Sequence, residues 1–337
     1  MNLIPAFPAP EFDAIEKWND GAKHSIKDFK GKVILLDFWT YTCIYCLRTI
    51  PVMNKLKEKY KDKDFEIISI HSSEYEFAKN VKNIERAISS LNLNDYLIGL
   101  DTKNRTWEVY GNSYWPKHIF IDKEGFIRYE QPGYGHLNEF EDALSDLLDL
   151  PQNNREVKEV DIKEENIESN EITKTYGMHF TGIAPEICVG YSRLRRFGNN
   201  QKLKINEFNI LTEPNTILDN TVYLKGKWKW EKERIKVSLD YKEKDPTIIF
   251  KYNEASNVNV IIGTDDNKPA IAEIKIDNEY LSIEQQGKHV KRNNDISYLE
   301  ADWPFIYNIV KTNHNAIHKI EIIPTTDNFC FYTFIFG

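Results

Sequence analysis

The sequence predicts two domains of different class: an α/β domain over residues 1–150 and an all-β, jelly-roll-like sandwich over residues 176–337. Three observations predict this. Helix-like and strand-like periods alternate through the first 150 residues, strand-like runs alone follow from about 176, and an acidic stretch at 151–175 separates them. A length of 337 residues also suits about two domains.

Residues 33–39, VILLDFW, form a nearly unbroken apolar run, as in a strand buried on both faces. A helix is predicted from 43 to about 61, with Leu47, Ile50, Met53, Leu56 and Tyr60 at three- and four-residue steps. Pro51 is expected to kink it. Residues 65–70, FEIISI, read as a second buried strand. A helix at 76–91 places Phe77, Val81, Ile84 and Ile88 on one face. A weaker strand at 96–100 and a short helix at 104–110 follow. Residues 117–122 and 126–131, joined by Lys123-Glu124-Gly125, carry a hairpin signal. A last helix spans about 137–148. Such alternation implies a mixed sheet with helices on both faces.

Residues 151–172 hold seven acidic and three basic residues and few large apolar ones, the composition of a solvated linker. Strands are then predicted at 222–230, 235–239, 247–252, 258–263, 271–276, 280–284, 305–311, 317–323 and 329–336. Many short strands at this spacing indicate a sandwich.

With 44 Lys and Arg against 52 Asp and Glu the net charge is −8, which disfavours nucleic acid and anionic membranes as partners. No apolar run reaches the ~18 to 20 residues of a membrane span. The first residues are broken by Pro5, Pro8 and Pro10 and lack a basic segment, so they do not read as a secretory signal. A cytoplasmic location is the expectation, or an extracytoplasmic one if the sequence is part of a longer chain.

Four cysteines cannot make a disulfide scaffold. Cys43-Ile44-Tyr45-Cys46 stands where a buried strand hands over to a helix. A thiolate is the reactive form of cysteine, and helix N-terminal N–H groups stabilise an anion. Cys43 at the exposed cap is therefore the expected nucleophile, and Cys46, one turn inside, the resolving thiol. A structural zinc site needs four ligands. Cys188 and Cys330 form no second pair and read as small core residues, so neither metal nor cofactor is expected beyond the Cys43–Cys46 disulfide itself.

FKGKVILLDFWTYTCIYCLRTIP resembles the active-site segment of thioredoxin-fold proteins, and WTYTCIYC resembles their TlpA/DipZ branch. Asp37, six residues before Cys43, matches the buried acid of that family, and Pro51, five after Cys46, matches its helix proline. Pro116, after Trp115, matches the family's cis-proline, whose loop supports substrate binding. The resemblance implies a thioredoxin-like α/β fold, with Asp37 assisting proton transfer and Trp115 and Pro116 contacting substrate. Trp39, Thr42, Tyr45 and Pro51 are the supporting positions. A buried carboxylate beside a dithiol can exchange protons with it; pairing with a buried lysine or capping a turn is the structural alternative. Ile44 and Tyr45 replace the Gly-Pro of reducing thioredoxins, which leaves the direction of electron flow open.

The insertion at about 73–97 is typical of the TlpA-like branch. Within it Glu74 reads as a solvated helix-start acid, and His71 before it as a structural histidine. TGIAPEICVGYSRLRRF, WPFIYNIV and FYTFIFG resemble the carbohydrate-binding-module-like C-terminal domain of DipZ. The membrane domain that precedes these in DipZ has no counterpart here, so the expected partners are protein dithiols or disulfides and an external electron donor or acceptor. The sandwich is expected to bind a glycan or a protein, or to hold the catalytic face. Trp228, Trp230 and Trp303 are the sugar-stacking candidates, although core packing is favoured for them. Arg193, Arg195 and Arg196 beside Tyr191 read as edge charges.

Two rival functions remain at this level. One is a binding module on a vestigial thioredoxin scaffold. The other is peroxide reduction, since Thr40 and Cys43 match a T-x-x-C pattern; Leu36, where that family needs proline, speaks against it.

Overall fold

The computed structural model describes residues 3–135, 137–150, 171–176, 186–241, 245–253, 255–266, 268–312 and 316–337. Two compact units divide the chain, Met1–Ile172 and Thr173–Gly337. No helix among the described residues is long and apolar enough to cross a membrane.

The first unit is a seven-stranded mixed sheet. Its strands are β1 (Phe7–Pro8), β2 (Lys17–Trp18), β3 (Val33–Trp39), β4 (Phe65–Ser72), β5 (Leu97–Asp101), β6 (Lys117–Ile121) and β7 (Phe126–Pro132). They lie in the order β1-β7-β6-β3-β4-β5-β2. β3 pairs parallel with β4 and antiparallel with β6, so it is central, and every one of its seven residues is buried. This is the position that a run with no polar alternation predicts. One face carries Ile34, Leu36, Phe38, Ile68, Ile70 and Ile119 into the larger apolar cluster. The opposite face carries Asp37, Trp39 and Ser69 toward Cys46 of the first helix.

That helix, α1 (Ile44–Lys59), buries Leu47, Ile50, Met53 and Leu56 as their spacing predicts. Pro51 lies inside it and has no N–H for the Leu47 carbonyl. The predicted helix at 76–91 is interrupted: a 3₁₀ turn at Glu76–Lys79 precedes α2 (Val81–Ser90). Asn80 between them is extended, and its Oδ1 accepts a hydrogen bond from Lys82 N at 3.0 Å, capping α2. α3 (Arg105–Val109) and α4 (Leu137–Leu147) complete the unit. The β6–β7 turn is built by Asp122, whose Oδ1 accepts from Glu124 N and Phe126 N at 3.1 and 2.8 Å.

Most of the predicted acidic linker, 151–170, lies outside the described residues. Its end differs from expectation. Residues 171–176 form a helix, α5 (Glu171–Tyr176), and Thr175 and Tyr176 are buried. Tyr176 explains this, because its carbonyl accepts from Asn259 Nδ2 at 3.2 Å in the second unit's core.

The second unit consists of two antiparallel sheets. Its strands are β8 (Ile187–Cys188), β9 (Phe208–Leu211), β10 (Thr221–Trp230), β11 (Ile235–Ser238), β12 (Thr247–Tyr252), β13 (Asn257–Thr264), β14 (Ala270–Ile276), β15 (Glu279–Tyr280), β16 (Val290–Asn293), β17 (Ile296–Ala301), β18 (Phe305–Lys311), β19 (His318–Pro324) and β20 (Phe329–Phe336). β10 serves both sheets: residues 221–225 pair with β12, and residues 227–230 with β11. Gly226 makes the transfer, at φ +92°, where a Cβ would stand 2.7 Å from Pro246 Cα. Phe250 of β12 stacks on Phe334 and Phe336 of β20 at 4.9 and 5.3 Å, which joins the two faces. The β16–β17 hairpin was not predicted, and the predicted strand at 280–284 is reduced to β15.

Candidate active site

Cys43 is the N-cap of α1, with extended backbone at φ −94° and ψ 113°. Its Sγ accepts a hydrogen bond from Cys46 N at 3.3 Å, the geometry that stabilises an anion at a helix start. Cys43 is partly exposed, while Cys46 is buried, and both are free thiols. Burial pushes the Cys46 thiol well above its usual range, and the neighbouring Cys43 sulfur and the Asp37 charge push the same way. The two thiols are thus unlike: one is reachable and bonded by an amide, the other is enclosed and holds its proton.

Asp37 stands on β3 under the dithiol. Burial raises its carboxyl to about 7, although Ser69 Oγ donates to Oδ2 at 3.2 Å and works against the rise. A small cavity lined by Asp37, Trp39, Cys46, Thr49, Ser69 and Tyr96 joins the carboxyl to the Cys46 side. The nearest basic group recorded for Asp37 is His118, at 3.4 Å, and not the lysine of the structural alternative.

The Trp115–Pro116 peptide bond is cis. Trp115 stacks on Trp107 at 4.1 Å and 19°, and Pro116 O accepts from Gly133 N at 2.7 Å. Tyr114, before Trp115, and Tyr45, between the two cysteines, are open to solvent at 67% and 48%.

Glu74 is not a solvated acid. It is half-buried, and Thr42 Oγ1, next to Cys43, donates to its Oε2 at 2.9 Å. The loop after β4 brings it back over residues 40–42, a long-range return that sequence spacing does not show. His71 lies beneath the same loop, stacked on Tyr41 at 5.4 Å and edge-on to Trp39 at 5.3 Å. Burial lowers it to about 3, so it is a neutral packing element, as expected.

Residues 5–147 match the Redoxin family, and residues 184–337 match the family described as Thioredoxin like C-terminal domain. Protein DipZ of Mycobacterium bovis is 28% identical over 78% of this chain and 37% of its own length. The chain thus spans little more than a third of that relative. The thiol-disulfide oxidoreductase ResA of Bacillus thuringiensis is 33% identical over 38% of this chain and 70% of ResA. This chain belongs to the ResA-like thiol-disulfide oxidoreductases. Among solved structures, a thiol-disulfide isomerase from Corynebacterium glutamicum is similar at a TM-score of 0.39 and 20% identity, over 43% of this chain and 97% of that one.

In this oxidoreductase, sequence reasoning overlooked Arg48. The side chain is 0% exposed, two residues past Cys46, with its guanidinium carbon 5.5 Å from the centre of the Tyr45 ring. Burial lowers its pKa, while Tyr45, Tyr134 and Cys43 lie near enough for their charges to oppose that. The available signal was the i, i+3 spacing from Tyr45. Arg48→Met, which keeps much of the volume and removes the charge, is expected to slow iodoacetamide alkylation of Cys43 at pH 7 by about tenfold. An unchanged rate in stopped-flow measurements would show that the cation does not act on the sulfur.

Trp228 and Trp303 are buried, and Trp230 is half-buried. Trp228 Nε1 donates to Lys225 O at 2.7 Å, Trp230 Nε1 to Val189 O at 2.8 Å, and Trp303 stacks on Phe305 at 4.5 Å. Arg195 and Arg196 are exposed, as expected of edge charges, whereas Arg193 is half-buried. Cys188 and Cys330 are buried. Among the described residues no group of three or more His, Cys, Asp and Glu could hold a metal.

Proposed function

We propose that this chain exchanges disulfides with protein substrates through Cys43 and Cys46. The carrying observation is the unequal pair: Cys43 Sγ receives an amide hydrogen bond at 3.3 Å while Cys46 is buried beside Asp37. The Cys43 thiolate attacks a substrate disulfide, forming a mixed disulfide and releasing one substrate thiolate. Asp37 takes the proton of Cys46, whose sulfur then attacks Cys43 Sγ. The second substrate sulfur leaves, and two electrons have passed from the Cys43–Cys46 dithiol to the substrate. An external dithiol returns them, or the cycle runs in reverse with an external acceptor. Trp115 and Pro116 border the substrate backbone, and the exposed Tyr45 and Tyr114 rings offer it apolar contact. A peroxidase would need Cys43 alone, and the enclosed Cys46 next to an acid favours dithiol exchange.

Equilibration in glutathione buffers tests this reading. The expected result is a single two-electron transition of the Cys43–Cys46 pair, with a midpoint between about −270 and −120 mV, the span of this fold. Mass spectrometry showing no Cys43–Cys46 disulfide at any glutathione ratio would overturn it.

A further inference from the structure

Three adjacent strands lay a polar line across the buried sheet. In register, Asp37 of β3 faces Ser69 of β4 on one side and His118 of β6 on the other. Ser69 already bonds one carboxyl oxygen. At the other, Asp37 Oδ1 and His118 Nε2 lie 3.4 Å apart. His118 is 0% exposed and Asp37 7%. Neither ring nitrogen of His118 has a hydrogen-bond partner, nor has Asp37 Oδ1. Buried polar atoms are rarely left so, and an unpartnered acid and imidazole at this distance call for a role.

We propose that His118 is a positioning residue for the resolving step, serving Asp37 in both of its protonation states as it takes a proton from Cys46. This rests on the dithiol function proposed above. A neutral imidazole has one N–H and one bare nitrogen, and can exchange them between tautomers. It can accept the O–H of protonated Asp37, or donate Nε2–H to the carboxylate. Burial lowers His118 to about 3, so the ring stays neutral where Asp37 titrates. Proton balance is simple: the Cys46 proton ends on Asp37, and His118 changes tautomer without gaining charge.

The surroundings add no competing charge change near neutrality. Cys46 faces Asp37 from α1, and His71 of β4, two residues past Ser69, stays neutral. Tyr96, which lines the cavity, has its hydroxyl pushed higher by burial. From β7, Gln131 stands opposite His118, and Tyr129 is bonded to Glu139 of α4 at 3.0 Å. The apolar edge of the site is Phe140, 4.8 Å from the His118 ring.

The test uses the full chain and follows the pH profile of mixed-disulfide resolution in single turnovers. His118→Leu removes the imidazole from both states, and the carboxylate loses the stronger, charge-assisted bond, so the profile's midpoint is expected to move up from about 7 by about one pH unit, about fivefold slower resolution at pH 7. His118→Gln, with an amide donor, is expected to recover most of that. A His118→Leu midpoint equal to the wild-type one overturns the proposal, whatever happens to its melting temperature. Nitrogen-15 spectra of the wild-type imidazole give a second reading that needs no variant. A tautomer change with the midpoint of Asp37 supports the role, and an unchanging tautomer overturns it. Asp37→Asn separates this from the broader function. If that variant keeps the wild-type profile, the functional reading of Asp37 fails, independently of His118.

Discussion

Cys46→Ser is expected to stop turnover and hold the substrate as a covalent adduct on Cys43. The partly exposed sulfur at the cap of α1 still attacks, but no second sulfur is left to release it. Cys43→Ser should lose both steps, with insulin reduction falling by at least about 10³-fold and no adduct forming. Non-reducing gels and intact-mass measurement distinguish the two outcomes. The asymmetry follows from burial, because Cys46 is enclosed and holds its proton, and Cys43 alone is presented to a partner. An adduct trapped on Cys46 in the Cys43→Ser chain, or undiminished insulin reduction by it, would sink the assignment of roles.

Asp37→Asn is expected to make the protein more stable and less active at once. The folded chain binds the Asp37 proton more tightly than the unfolded one, since burial raises the carboxyl from 3.8 to about 7. Stability from this group is therefore complete below about pH 4 and is lost progressively as pH rises through 7. The amide never ionises and escapes that loss. Urea denaturation at pH 8 should show Asp37→Asn more stable by on the order of 4 kcal/mol, and the difference should close toward pH 4. Resolution of the mixed disulfide should meanwhile slow by about 10²-fold at pH 7, because the proton acceptor is gone. Equal stability of the two proteins at pH 8 would mean that Asp37 is not strained by its burial.

How far these features were legible in the sequence depends on the range of the interaction. β3, α1 and β4 follow from local pattern, since a doubly buried strand must be apolar throughout and a surface helix must be apolar on one stripe. Asp37 was conspicuous for breaking such a strand. Glu74 and Arg48 were not, because charged side chains are ordinarily solvated. Glu74 meets Thr42, 32 residues away in sequence, and the Tyr45 ring lies 5.5 Å from the Arg48 guanidinium. His118 read as one more residue of a strand, and only the antiparallel register of β6 against β3 sets it beside Asp37. In the sandwich, the β16–β17 hairpin escaped notice because its buried residues include a serine, Ser297. That hydroxyl donates to Ile274 O at 2.6 Å and accepts from Leu281 N at 3.0 Å, a satisfaction invisible to hydropathy. Trp228 and Trp303 are buried, as the preference for packing expects, while Trp230 is half-buried.

Gly226 has a further implication for how the sandwich comes apart. Because β10 turns there from one sheet into the other, its first half belongs to one layer and its second half to the other. Loosening β12 from the first half of the strand takes away the anchor on one side of the half that holds β11. The expected behaviour is that the two sheets open together rather than as separate leaves, with amides of β12 and β11 showing the same hydrogen-exchange opening energy. A single residue without a side chain thus makes the covalent link through which the two sheets share one strand.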